Sequence, residues 1–259
     1  MKKVLIVNFL LLSGISGNVY AQKIKLNDKS VSAVTKGTKA LTFSDADAAA
    51  LAGEAVAWMD ANNPVAAAND PYAVRLNKLV AKHFNEDGLK LNFKVYKVVD
   101  INAFACADGS VRVFAGLMDL MTDEEILGVI GHEIGHVKNH DTRDAIRDAY
   151  KRAAIADAAS SQSNAARTLT QSELGDLANA LLTSSYSRKQ ESDADAYAYG
   201  FMKKHGYSVM ALASAFDKLA ELSAGAPEQS KAQKMFNSHP DSGKRAATIR
   251  EKAQKDGIK

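Results

Sequence analysis

Residues 131–137 read GHEIGHV, so two of the chain's six histidines stand four apart with a glutamate beside the first. On a helix, side chains four residues apart share a face with Cβ atoms about 5–6 Å apart, so His132 and His136 can meet one ion. Imidazoles joined by a carboxylate suit zinc, in a tetrahedral shell that can keep one position for water. Glu133 lies about 100° around the helix from His132, which aims its carboxylate beside the ion instead of into its shell. A general base belongs there. Zinc lowers the pKa of water to about 7, and a nearby carboxylate can take its proton as the water attacks a carbonyl, then pass it to the departing amine. The chemistry implied is peptide-bond hydrolysis.

Two histidines need a third ligand. His140 extends the four-residue spacing, but eight residues of helix put it about 12 Å from His132 along the axis, too far to share a tetrahedral ion. A hydrogen-bonded or charged role at the helix end suits it better. Downstream, the sequence QESDADAYAYG places Glu191 and Asp195 four apart on a helical segment. Glu191 could complete the shell, and Asp195 could accept the ring N–H of a liganding histidine and fix its tautomer. Spacing alone does not rank Glu191 above Glu173, and an acidic patch at a helix N-terminus would look the same.

The elements that must position these groups are legible in outline. Thr122 with Glu125 forms a capping box that opens the helix carrying EEILGVIGHEIGHVKNH. Gly135 inside that helix points to close packing, because glycine there costs about 1 kcal/mol relative to alanine. Before it lies the one clear β region: NFKVYKVVD alternates at period two, and NAFACA and SVRVFAG flank Asp108-Gly109, a hairpin dipeptide. Upstream, helices are expected from Ser44 to a stop at Pro64, and from Asp70-Pro71 through KHF to the Asp87-Gly88 break. Downstream, helical patterns cover about 141–158, 170–187, 189–204 ending at Gly206, 208–223, and a last helix after Pro240. A polar connection, 224–238, separates the last two and has the composition of a surface loop.

The chain has 259 residues, 46% hydrophobic and 24% charged, which supports a sizeable core. Lys2 and Lys3 precede the apolar run VLIVNFLLL and a small-residue pattern ending at Ala21, the form of a secretory signal peptide. The run is far shorter than the roughly 20 apolar residues of a membrane span. Residues 1–21 are thus expected to be removed, 22–43 to form an extended lead-in, and 44–259 to form the catalytic domain. Without Lys2 and Lys3 the 33 basic residues become 31 against 30 acidic ones, a balance with no footprint for nucleic acid. The lone cysteine, Cys106, cannot form an intrachain disulfide and reads as a buried small hydrophobe.

HEIGH followed by ESDAD, preceded by NAFACADGSVRVFAGLM and followed by SHPDSGKRAATI, resembles the zinc metallopeptidases related to the CAAX prenyl proteases, in the gluzincin group. The similarity runs from about residue 44 onward. It implies one zinc ion per chain on His132, His136 and Glu191, with Glu133 as the catalytic acid/base and Asp195 as the carboxylate behind a ligand. His239 and Arg245 match the family's late HP…R element, which implies contact with substrate or transition state; a donor here could help stabilise the oxyanion. A helix-capping, loop-pinning role is the alternative for that pair. Asn102 either orients substrate or begins the hairpin. Envelope members of this family are commonly lipoproteins with a cysteine at the cleavage site, whereas GNVYAQK has none. A soluble periplasmic protein follows, with room for peripheral association with the outer membrane.

The expected fold is α+β and predominantly helical: a zincin-type domain with a small β-hairpin sheet beside the HEIGH helix. The expected activity is zinc-dependent endoproteolysis of unfolded or misfolded envelope proteins, with the edge of the hairpin able to pair with an extended substrate. The rival is a metal-stabilised periplasmic chaperone or assembly factor. A structural zinc normally has four protein ligands, and a fourth is not evident in the sequence.

Overall fold

The computed structural model describes residues 44–149, 170–225 and 238–258. The expected signal peptide and lead-in, residues 150–158 of the helix expected at 141–158, and most of the 224–238 connection lie outside the described residues.

Helix α1 (Asp45–Asn62) starts on a capping box between Ser44 and Asp47 and ends before Pro64. Helix α2 (Pro71–Leu79) has Asp70 as its cap and Pro71 in its first turn, but it is shorter than expected. The chain instead buries His83 and forms a two-stranded hairpin, β1 (Asn85–Glu86) with β2 (Leu89–Lys90). Asp87 and Gly88 at its tip both have positive φ, 47° and 85°, which is the backbone of a tight hairpin turn and not of a helix stop.

The expected hairpin is present as β4 (Ala103–Ala105) antiparallel to β5 (Ser110–Phe114), turning at Asp108-Gly109. A third strand enlarges it: β3 (Asn92–Tyr96) pairs with β5 in parallel, so the order is β3-β5-β4 and, among the described residues, β4 is an edge. The central strand β5 is buried at every position, whereas β3 alternates at its start, as central and flanking strands should. Arg112 on β5 is tied to Asp60 of α1 by two hydrogen bonds of 2.9 and 3.0 Å. Tyr96 and Lys94 of β3 reach the same carboxylate.

After a short helix α3 (Ala115–Leu120), α4 (Asp123–Lys138) opens on the Thr122/Glu125 capping box and is buried from Glu125 to Val137. Its neighbours are α6 (Arg188–His205), α7 (Val209–Gly225) and the sheet. Gly135 is where the α6 backbone comes closest, since a Cβ there would meet Ala194 Cα and O at 3.0 Å. Between α4 and α6 lie a helical stretch, 141–149, and α5 (Gln171–Leu182). Helix α5 stops short of 187 because the Thr183 and Ser184 hydroxyls donate to the carbonyls of Asn179 and Ala180. Ser187 then caps α6 with Gln190. Helix α8 (Ser242–Lys255) follows Pro240 and packs on α7 and α6. Among the described residues no helix is long and apolar enough to cross a membrane.

Candidate metal centre

The close approach of α4 and α6 at Gly135 and Ala194 brings His132, His136 and Glu191 to one point. His132 Nε2 lies 3.1 Å from His136 Nε2, which lies 3.3 Å from Glu191 Oε1. His239 Nδ1 closes the figure, 3.0 Å from Glu191 Oε1 and 3.2 Å from His132 Nε2. Zinc–nitrogen bonds of about 2.0–2.1 Å in a tetrahedral shell place neighbouring ligand atoms about 3.3–3.4 Å apart, so the donor set fits that ion.

The outer sides of both imidazoles are held. Asp195 Oδ1 lies 2.9 Å from His132 Nδ1, and Asp141 Oδ2 lies 2.9 Å from His136 Nδ1. With Nδ1 carrying the proton on each ring, the two Nε2 lone pairs would face each other at 3.1 Å unless something positive stood between them. Burial drives His132 well below the usual histidine range. Burial acts the same way on His136, but hydrogen bonds with Asp141 and Glu191 outweigh it and push the ring up to about 9. Glu191 stays ionised: burial opposes its charge, and hydrogen bonds to His136 and His239 overcome that.

Glu133 behaves differently. Ala105 N–H on β4 donates to its Oε2 at 3.2 Å, while Oε1 is buried with no hydrogen-bond partner among the described residues, 3.6 Å from His239 Nε2. Burial raises its pKa. An unpaired buried carboxylate oxygen costs stability, commonly about 1–3 kcal/mol or more, and so calls for a reason.

Arg245 departs from the expectation of a group facing substrate. It donates twice to Asp195, from Nε at 2.8 Å and Nη2 at 2.6 Å, and covers the Phe216 ring at 4.1 Å. Nη1 also stands 2.5 Å from Glu191 Oε2. The guanidinium thus braces two acidic groups from behind. Asn102 lines a small cavity together with Glu133, Tyr186 and His239, and its carbonyl accepts from Phe114 N–H at the start of the hairpin. His140 lies beyond the helix with a φ of 65° and pairs with Asp45, away from the ligand group. Cys106 is buried, and burial raises its thiol pKa, consistent with an inert core residue.

Sequence reasoning missed two residues. Asp141 follows His140, whose left-handed backbone folds the next helical stretch back toward His136. Tyr186 stacks on the His136 ring, 3.9 Å between centroids and 16° between planes. Its signal was an aromatic residue within a polar run just before a helix cap.

Residues 70–253 match peptidase family M48. The chain belongs to that family. It is 43% identical over 215 residues, 83% of each chain, to the metalloprotease YcaL of Escherichia coli K12. It is 40% identical over 222 residues to the metalloprotease LoiP of the same organism, 85% of this chain and 86% of LoiP. A protease HtpX homolog of Methanopyrus kandleri is 32% identical over 184 residues, 59% of this chain and 57% of that one. The protein is accordingly an M48 metallopeptidase, and His132, His136, Glu191 and His239 form a group able to hold its metal.

Proposed function

We propose that this M48 peptidase is a zinc-dependent endopeptidase that cleaves unfolded or misfolded proteins of the cell envelope. One zinc ion would be held by His132, His136 and Glu191. When bound, it supplies a Lewis acid and lowers the pKa of a water to about 7. Glu133 would act as general base toward the attacking water and as general acid toward the leaving amine. The raised pKa of Glu133 suits a group that must both accept and donate. Asp195 and Asp141 hold the two imidazoles, and Arg245 fixes Asp195 and Glu191. His239 Nε2 faces the Glu133 side of the centre, where a donor meets negative charge developing on the carbonyl oxygen. Asn102 contacts the substrate chain.

The observation that carries this reading is the unpartnered buried oxygen of Glu133 beside four converging ligand atoms. The substrate class is supported by shape. The small cavity at Glu133 shares Tyr186 with a cleft of about 520 Å³ and Asn102 with another of about 450 Å³. A path with its chemistry in the middle suits an extended chain, and the edge strand β4 offers it main-chain pairing. The compartment rests on the signal-like residues 1–21, which would deliver a chain cleaved near Ala21 to the periplasm.

A metal-stabilised chaperone is the second reading, and one observation favours it: His239 could act as a fourth ligand and close the shell. Chelation followed by zinc restoration separates the two. The protease reading expects cleavage of a permanently unfolded, casein-like substrate to stop on chelation and return with zinc, while a compact folded protein resists throughout. Holdase activity without zinc-dependent cleavage would overturn it.

A further inference from the structure

A second set of metal-ligating side chains converges at the other end of α6. His83 follows α2, Glu86 is in β1, and His205 is in the last turn of α6. Glu86 Oε2 lies 3.0 Å from both His83 Nδ1 and His205 Nε2, and one ligand atom from each residue falls within 4.8 Å of the others. The imidazoles meet edge to face, 4.6 Å between centroids. Fourteen residues of helix separate Glu191 from His205, about 21 Å along the axis, so this cluster is distinct from the first.

We propose that His83, Glu86 and His205 form a second zinc site, which ties the chain before and within β1 to the C-terminal turn of α6. The support is geometric. The carboxylate-to-imidazole distances match two edges of a zinc shell, about 3.3 Å in a tetrahedron. His83 is held from its far nitrogen, with Tyr207 Oη 2.9 Å from Nε2. That hydroxyl can accept Nε2–H and so free Nδ1 for the ion, the arrangement by which liganding histidines are oriented. Lys204 Nζ, which donates to Glu86 Oε1 at 2.6 Å, also donates to Asp87 at 2.7 Å and keeps that partner if Glu86 turns to a metal. His83 and Glu86 are buried, while the His205 side chain is 20% exposed and gives an ion a way in.

Three protein ligands leave the fourth position of the shell to water on the exposed side of His205, and the site's role is to bridge the segments it joins. No buried side-chain atom of these residues lacks a hydrogen-bond partner, so nothing here corresponds to the waiting oxygen of Glu133. Two imidazoles and a carboxylate select an imidazole-binding transition-metal dication over calcium or magnesium. The inference depends on ligand geometry alone and stands whether or not the first site performs proteolysis.

Equilibrium dialysis of the mature chain against buffered micromolar free zinc, followed by elemental analysis, tests it. Two ions per chain are expected for the wild type and one for His205→Gln, whose cleavage of unfolded substrate stays within about two-fold of wild type. Equal counts in both proteins overturn the proposal; one ion in the wild type against none in His205→Gln supports it and speaks against the first site instead. If His205→Gln does not fold, anomalous scattering at the zinc edge from wild-type crystals decides it. A peak among His83, Glu86 and His205 is expected, and a peak at His132 and His136 alone refutes it.

Discussion

Helix α6 carries a histidine–carboxylate cluster near each end, and the two are wired differently. Near its N-terminus, Glu191 and Asp195 face His132 and His136, each imidazole is gripped on its outer nitrogen by an aspartate, and Glu133 is left with an unpaired oxygen. At its C-terminus, His205 and Lys204 face His83 and Glu86, and every buried side-chain atom is satisfied. Both ends gather the same residue types in comparable burial. What separates them is the spare acid: a cluster that only holds chains together has no use for an uncompensated carboxylate, whereas a hydrolytic centre needs one.

The largest effect should follow from removing the carboxylate ligand at the N-terminal end. Glu191→Gln is expected to lose the centre's zinc and to drop cleavage of unfolded substrate to the level of chelated protein, while Tyr207→Phe at the opposite end leaves cleavage unchanged. Zinc analysis and a fluorogenic unfolded substrate measure both. Equal losses would erase the distinction between the ends.

Next come the carboxylates behind the histidines. Asp141→Asn and Asp195→Asn should each weaken zinc binding about 10–100-fold, read by competition with a chromophoric chelator. Asp195→Asn should be the worse, because it also leaves the buried Arg245 guanidinium without its two-point partner.

Packing sharpens the contrast further. Gly135→Ala forces a Cβ against the α6 backbone at Ala194, and should destabilise the fold by about 1–3 kcal/mol in denaturant titration. Gly200→Ala on α6 itself meets nothing within 4 Å and should instead stabilise the helix by up to about 1 kcal/mol.

The smallest effect lies away from both ends. Burial opposes the Asp60 charge, but hydrogen bonds from Arg112, Lys94 and Tyr96 outweigh it and hold the carboxyl down at about 2, against an ordinary value of 3.8. A pKa lowered on folding means stability that is fully present above 3.8 and lost as pH falls toward 2. Unfolding of wild type and Asp60→Asn across that window should show a difference of about 1–2 kcal/mol shrinking with acid.

The two ends also differ in how far they could be read in advance. GHEIGHV announces itself because helical periodicity converts spacing directly into a shared face for His132 and His136; spacing left Glu191 level with Glu173, the family resemblance implied Glu191 and Asp195, and the structure brings all four together. Helix caps at Thr122 and Ser44 and the Asp108-Gly109 turn were equally local and equally legible. The parallel pairing of β3 with β5 was not, because no short-range signal encodes which strand a non-adjacent segment will choose. Asp141 and Tyr186 reach the centre through a left-handed residue and a loop, and His83 and His205 are 122 positions apart with no common motif. Arg245 shows the limit of motif transfer: the match predicted its neighbourhood but not that its guanidinium would be spent on Asp195.

The central claim is that Glu133 serves chemistry and not the fold. Glu133→Gln removes the carboxylate while keeping its shape and the acceptor for Ala105 N–H. Turnover of an unfolded substrate by the zinc-loaded variant should fall about 10²–10⁴-fold, with zinc content unchanged and stability equal or higher. Turnover close to wild type at full zinc occupancy would contradict the account.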